Sequence, residues 1–201
     1  MHQNNIPCRE LTPKNILIDK NGYIKINPLQ IEKFFQLKKE ILEKIEKSEY
    51  NSPEVLSNIE EKNLKGANEW WSLGIIIFEM IYGIPPFYTD DNKNMNEFIK
   101  NNELIFPKNP TISESLKDLI IKLLNKNNEE RLGYINDSEE IKKHNFFENF
   151  NFNNLLDKKL LGSYIPNISH IEDNKIIEHK YTYEDLIKSG LIKTNENSSS
   201  H

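Results

Sequence analysis

The sequence predicts a mainly α-helical fold that carries one short β-hairpin near its N-terminus. Three observations support this fold class: a turn dipeptide between two short apolar runs within 15–26, an apolar segment of helical length at 68–82, and further segments of helical periodicity between residues 94 and 144. With 201 residues, the chain is long enough for one domain with a substantial core, with or without a tail.

The hairpin is predicted from the segment NILIDKNGYIKI at 15–26. Asn21-Gly22 separates its two apolar runs, and this dipeptide adopts the positive φ angles of a tight hairpin turn at low cost. After the hairpin, the segment 31–46 combines Lys and Glu with apolar residues at helical intervals. This pattern predicts an amphipathic helix with a solvated charged face.

The centre of the fold is predicted at 68–82. This segment is apolar on all sides, which is typical of a fully buried helix, and Gly83 with the following prolines ends it. Three more helices are expected downstream, at 94–101, at 113–125 with Ser113 as its N-cap, and at 138–144.

Composition narrows the function classes. The net charge is -5 and the Lys residues are interleaved with Glu, which disfavours a nucleic-acid partner. The longest apolar stretch, 73–84, contains charged Glu79 and is too short to span a bilayer. Cys8 is the single cysteine, so no intramolecular disulfide forms. With no secretory signal at the N-terminus, we expect a soluble protein of the cytoplasm.

Four segments, in this order, resemble motifs of the protein kinases from the catalytic loop onward. They are CRELTPKNILIDKNGYIKINPL at 8–29, SEYNSPEVL at 48–56, ANEWWSLGIIIFEMIYGIPPFYTDD at 67–91 and EERLG at 129–133. The chain is similar to the C-terminal, helical lobe of the cyclic-nucleotide-dependent (AGC) group, and Tyr164-Ile165-Pro166 resembles the start of that group's C-terminal extension.

The resemblance implies a domain organisation. Residues 1–150 would form the C-terminal kinase lobe, followed by an extended AGC-type tail at 151–193 and a disordered terminus at 194–201. Within the lobe it implies a catalytic-loop-like segment at 8–15, a D-F-G-like segment at 27–29, an activation segment at 27–54 and a buried helix at 68–82. No Gly-rich loop or strand lysine precedes Met1, so we expect the ATP-binding N-terminal lobe to be missing.

The structural residues of the family pattern are retained. Glu54 and Arg131 match the positions whose ion pair ties the activation segment to the helical core in the family. The Trp70-Trp71 pair also matches, whereas Glu69 stands where the family has Asp. We expect only a small local adjustment from the extra methylene of Glu69.

The catalytic residues of the pattern are altered. Glu10 occupies the base position with a carboxylate displaced by one methylene, and Thr12 replaces the lysine that stabilises transition-state charge. Asn15 matches the family's amide ligand for Mg²⁺, although Asn is also common after a turn containing Pro. Asn15 is therefore either a metal ligand or a turn residue.

The D-F-G position carries Asn27-Pro28-Leu29. Mg²⁺ favours anionic oxygen ligands, so neutral Asn27 weakens the metal site that Asn15 and Asn27 would form. Pro28 fixes φ, and Leu29 replaces a flexible glycine. We therefore expect no cofactor, with Mg-ATP binding only if an N-terminal lobe exists.

Substrate recognition gives a mixed signal. The resemblance implies that Glu49 and Glu79 occupy positions that bind basic peptides, but Lys14 reverses the charge at a third such position. Glu43 falls near the family's phosphothreonine, where it either imitates a phosphate or belongs to a solvated helix face. Lys47 stands where the family has a threonine facing the catalytic loop.

The leading hypothesis is an inactive serine/threonine kinase lobe, a pseudokinase, that acts as a binding or allosteric module. The alternatives are a divergent, ATP-dependent AGC-type kinase from an incomplete gene, and a degenerating gene with no retained function. A lobe alone would expose the face that includes residues 26–30, so we expect a protein partner and neither nucleic acid nor membrane.

Overall fold

The computed structural model describes residues 11–27, 48–57, 66–89 and 92–166. It has two strands, six α-helices and two short 3₁₀ turns within these ranges. They are the 3₁₀ turn Pro13–Asn15, β1 (Ile16–Ile18), β2 (Ile24–Ile26), α1 (Pro53–Leu56), α2 (Ala67–Tyr82), α3 (Asn92–Asn101), α4 (Glu114–Leu123), α5 (Ser138–Lys142), the 3₁₀ turn Asn145–Phe147 and α6 (Phe152–Leu156). The mainly helical fold with one hairpin near the N-terminus is confirmed.

The hairpin comprises β1, β2 and the loop that joins them. The strands are antiparallel and pair Ile16 with Ile26. Asp19 and Tyr23 close the loop through a 2.8 Å backbone hydrogen bond, and Gly22 has a φ of 82°. Only Gly22 of the predicted Asn21-Gly22 turn has positive φ, because the loop has three residues, in which a type I turn is followed by one left-handed residue.

Helix α2 supplies the centre of the core. Trp71, Ile75 and Phe78 are fully buried, and the Trp71 ring stacks on Phe87 with 5.7 Å between centroids. The expectation of a helix buried on all sides is wrong, because Met80 is 81% exposed. Apolar composition measures how much of a helix can be buried, and the packing of its neighbours decides which sides are.

Helix α4 packs against α2 and completes the core. It contributes Leu119, Ile120 and Leu123, all fully buried. The predicted N-cap is confirmed, since the Ser113 hydroxyl accepts a hydrogen bond from the Leu116 amide at 3.2 Å. The helix predicted at 138–144 ends two residues earlier and continues into the second 3₁₀ turn.

A helix stands at the start of the segment where we expected extended chain. In α6, the Asn151 side chain accepts a hydrogen bond from the Asn154 amide, and Phe152 lies 5.4 Å from the ring of Phe147. Five residues are too few to show helical periodicity, so the Asn cap was the only sequence signal. The predicted helix at 31–46, the outer tail at 167–193 and the terminus at 194–201 lie outside the described residues.

Among the described helices, none combines the length and the apolar character needed to cross a bilayer.

Candidate functional site

The catalytic-loop-like segment forms a tight turn that leads into β1. Thr12 is extended, with φ of -135°, and its carbonyl accepts a 3.0 Å hydrogen bond from the Asn15 amide across the 3₁₀ turn. Pro13 opens this turn, where its lack of an N–H costs nothing. The result is that Asn15 is buried while Thr12 stays partly accessible.

The hairpin brings the two candidate metal ligands together. The backbone amide of Asn27 donates a 2.9 Å hydrogen bond to the backbone carbonyl of Asn15. These two residues directly flank the strand pair of Ile16 and Ile26. This proximity follows from the antiparallel register, because residues that flank a paired couple are themselves neighbours. The side-chain donors offered by Asn15 and Asn27 are neutral amides.

This donor set does not fit Mg²⁺. A hard cation of this kind is held in proteins chiefly by carboxylates and phosphates. No group of three or more His, Cys, Asp or Glu side chains suited to a metal ion occurs within the described ranges. As neutral ligands, two amides offer weaker compensation for the dehydration of the ion than carboxylates do.

Apolar side chains are exposed on both faces of the hairpin. Leu17, Ile18 and Ile24 are exposed, and Ile24 is 69% exposed. Of the face predicted to be exposed at 26–30, Ile26 and Asn27 are half-buried, and residues 28–30 lie outside the described residues. Ile18 and Ile24 are paired across the strands, whereas Leu17 lies on the other face, where it is paired with Lys25.

The activation-segment end is anchored by a buried ion pair. Arg131 and Glu54 meet in a two-pronged contact, with 2.9 Å between Nη2 and Oε2, and both side chains are buried. Arg131 also donates to the carbonyls of Ala67 and Asn125, at 2.9 Å each. Four hydrogen bonds of this quality offset the cost of removing two charges from water.

The tryptophan pair supports the same anchor. The Arg131 guanidinium lies 5.1 Å from the ring centre of Trp71, a cation–π distance. Trp70 packs on Gly133, where a Cβ atom would lie 2.4 Å from the indole, and its Nε1 donates to Asp137 at 3.1 Å. Glu69 is buried in the first turn of α2.

The two candidate substrate-binding glutamates lie near Tyr50. The Tyr50 hydroxyl donates a 2.7 Å hydrogen bond to Glu79, and the Ser72 hydroxyl donates to the Tyr50 carbonyl. Burial raises the pKa of Tyr50, and the bond to Glu79 and the negative charge of Glu49 raise it further. The Glu79 carboxylate therefore already accepts a hydrogen bond from within the chain, whereas Glu49 is partly accessible.

Comparison with known proteins gives these features a family. The family model of the protein kinase domain matches residues 1–147. The chain belongs to the protein kinase family. It has sequence homology to AGC kinases within that family, as the relatives below indicate.

Three relatives illustrate the similarity. The chain is 34% identical to serine/threonine-protein kinase Sgk1 of Xenopus tropicalis, over 94% of this chain and 44% of that protein. It is 35% identical to human serine/threonine-protein kinase Sgk2, over 94% of this chain and 50% of that protein. It is 34% identical to the cAMP-dependent protein kinase catalytic subunit of Dictyostelium discoideum, over 94% of this chain and 28% of that protein. The chain thus spans half or less of the length of these relatives.

Several residues of the kinase pattern lie outside the described ranges. They are Cys8, Glu10, Pro28, Leu29, Glu43 and Lys47. Two of the predicted kinase features lie within the described residues. The anchor of Glu54, Arg131 and Trp71 is assembled, and the candidate metal ligands Asn15 and Asn27 are neighbours.

Sequence reasoning missed two features of this kinase site. One is the Tyr50 to Glu79 bond, which joins residues 29 positions apart and leaves no local pattern. The other is the exposure of the apolar side chains of Leu17, Ile18 and Ile24. An alternating strand pattern would have warned of a half-exposed hairpin, but a run of consecutive aliphatic residues suggests burial on both faces.

Proposed function

We propose that this chain is a kinase lobe that does not transfer phosphate in the manner of its family and instead acts as a protein-binding module. The observation that carries the proposal is that the hairpin brings two neutral residues, Asn15 and Asn27, together at the candidate metal position, where a backbone hydrogen bond joins them. Phosphoryl transfer depends on positioning and on electrostatic stabilisation by bound metal. A pair of neutral amides supplies neither the charge nor the affinity that Mg²⁺ requires.

Thr12 supports the same proposal. The lysine of the family pattern places a positive charge beside the phosphate in transit, and loss of one such group costs about 10²- to 10³-fold in rate. The Thr12 hydroxyl carries no charge and lies on a partly accessible, extended stretch of chain. Thr12 therefore leaves the transition-state charge without a cation.

The binding role is supported by exposed apolar side chains of the hairpin. Ile18 and Ile24 form an exposed cross-strand pair in the hairpin that Asn15 and Asn27 flank, whereas the side chains of Glu54 and Arg131 are buried. An apolar surface on a well-packed base suits a partner protein, which gains free energy by covering it. We place this interaction in the cytoplasm and assign no cofactor, nucleic acid or membrane to it.

The proposal is tested by an assay of the full-length gene product with radiolabelled ATP, Mg²⁺ and a generic basic peptide. We expect no phosphate incorporation above a mock preparation, and no rise in melting temperature when ATP and Mg²⁺ are added together. Human Sgk2, assayed in parallel, controls for the peptide and the ATP. Incorporation that disappears in an Asn15→Ala variant would overturn the proposal.

A divergent active kinase is the second candidate, and one observation favours it. Asn15 is retained, buried and held in place by the Asn27 amide, as a preorganised ligand would be. Two measurements distinguish an active kinase from an inactive binding module. A transcript whose reading frame continues upstream into a Gly-rich loop and a strand lysine supports activity, as does peptide phosphorylation by the encoded protein. Activity that appears only in an Asn27→Asp variant supports the inactive assignment.

A further inference from the structure

A segment of the tail is seated on the loop of the hairpin. The Tyr23 hydroxyl donates a 2.5 Å hydrogen bond to the Leu160 carbonyl, which lies 137 positions away in the chain. Next to this bond, the backbone of Gly22 meets the backbones of Gly162 and Tyr164. We call residues 160–164 the strap.

The two glycines make this contact possible. A Cβ on Gly162 would lie 2.7 Å from the Gly22 Cα, and a Cβ on Gly22 would lie 2.4 Å from the Tyr164 carbonyl oxygen. Both distances are shorter than van der Waals contact, and the opposing atoms are backbone atoms that cannot rotate aside. Gly162 has no positive φ, so its requirement for glycine comes from the close approach alone.

The hairpin needs support from outside itself. A two-stranded hairpin is marginally stable in water, and this one pairs only three residues per strand. Leu17, Ile18 and Ile24 are exposed, so they add little to its stability, whereas Ile16 packs against the core at one end. The loop end has the strap as its long-range hydrogen-bond partner within the described residues.

The loop itself is tightly organised. Asp19 accepts hydrogen bonds from the Asn21 and Tyr23 amides at 2.9 and 3.0 Å, and the Gly22 amide donates to the Asp19 carbonyl at 2.9 Å. Tyr23 directly precedes β2 and is bonded to Asp19, which directly follows β1. A displacement of Tyr23 should therefore shift both strands. Only three residue pairs separate the loop from the bond between Asn27 and Asn15.

We propose that the strap is a conformational control of the hairpin, which holds Asn15 and Asn27 together while it is seated and loosens them when it is displaced. The segment that would be displaced is accessible, since Leu161, Tyr164 and Ile165 are exposed. This inference goes beyond the proposed function, because it concerns the geometry of the hairpin whether or not phosphate is transferred there.

The test measures amide hydrogen exchange by NMR in the full chain with Gly162→Ala. The added methyl group unseats the strap, and we expect the Asn27 amide to exchange at least about fivefold faster. The Leu124 amide, bonded to Ile120 in the core, is the internal reference and stays unchanged. Ser163→Ala, one residue along the strap at an exposed position, is the matched control and should exchange as the wild type does.

A second variant, Tyr23→Phe, keeps the ring and removes the hydroxyl donor, so it weakens the strap without a steric change. We expect the Asn27 amide to exchange faster by a smaller factor than in Gly162→Ala. The proposal is overturned if the strap amides exchange faster while Asn27 does not change. It is equally overturned if Asn27 and Leu124 accelerate together, because that result indicates general destabilisation.

Discussion

The helical base and the hairpin hold their side chains in opposite ways. In the base, which comprises α1, α2, α4 and the Arg131 loop, the side chains of Trp71 and Leu119 are buried, and the buried pair of Glu54 and Arg131 is held by several hydrogen bonds. In the hairpin, Ile24 and its neighbours are exposed, and the support comes from the two ends. The hairpin that carries the candidate site is therefore held by fewer buried contacts than the base. We expect substitutions at its exposed positions to cost the base little stability.

The largest effect is expected from Glu54→Ala. This change leaves the Arg131 guanidinium buried without its carboxylate, so the free energy of unfolding should fall by about 3–5 kcal/mol in urea titration. Lys142→Ala is the control, because Lys142 and Glu139 form an ion pair of 2.7 Å at the surface. That pair should contribute at most about 1 kcal/mol. Equal losses in the two variants would contradict the contrast between buried base and exposed surface.

The next effect is expected from Gly74→Ala in α2. The new methyl group would lie 2.8 Å from a Leu124 methyl and 3.0 Å from the Leu123 Cβ. Overpacking of this kind costs about 1–3 kcal/mol, which exceeds the gain in helix propensity. Thermal unfolding should show a lower midpoint for this variant. A raised midpoint would show that α2 and α4 can separate slightly without loss.

Ser52→Ala should act in the opposite direction. The Ser52 hydroxyl is buried at the start of α1 and has no hydrogen-bond partner in the described structure. Removal of an unsatisfied buried hydroxyl should stabilise the base by about 1 kcal/mol, as seen by a higher urea midpoint at an unchanged slope. Ser57→Ala is the control, because the Ser57 hydroxyl is exposed and bonded to the Pro53 carbonyl.

The hairpin should respond weakly to Ile24→Thr. This exposed position contributes little burial, so the free energy of unfolding should change by less than about 0.5 kcal/mol. Retention of a partner protein on the immobilised chain should nevertheless fall, because the apolar contact is lost. Ile135→Thr, an exposed position distant in sequence, is the matched control for retention. A large loss of stability in Ile24→Thr would remove the distinction between the two regions.

The smallest expected effect is a loss of hairpin stability at low pH. Hydrogen bonds from the Asn21 and Tyr23 amides hold the pKa of Asp19 below its ordinary value. Because the pKa is lowered in the folded chain, the stabilisation that ionised Asp19 gives the hairpin is complete at pH values above the ordinary pKa of a carboxyl group. It is lost as the pH falls below about 4. The Asn21 amide resonance should follow this titration, and Asp19→Asn should abolish the pH dependence of that resonance.

The sequence predicted the base more completely than the site. The Ser113 cap, the α2 core and the Glu54 to Arg131 pair follow from local pattern or from family motifs, and all three are present. The bond from Tyr50 to Glu79 and the strap contact of Tyr23 depend on residues far apart in the chain. No periodicity encodes such contacts, because each depends on one side-chain direction and one close approach. Helix α6 was missed since its five residues are shorter than the window in which periodicity is visible.

The Glu54 to Arg131 pair joins residues 77 positions apart and thereby closes a loop that contains α2, α3 and α4. Closure of so long a loop costs entropy before the buried contacts offset it, so we expect the pair to form late in folding. A proteolytic or spliced fragment that ends between positions 54 and 131 would keep Glu54 and lose Arg131. Such a fragment lacks the anchor, so during synthesis the anchor can form only after translation has passed Arg131.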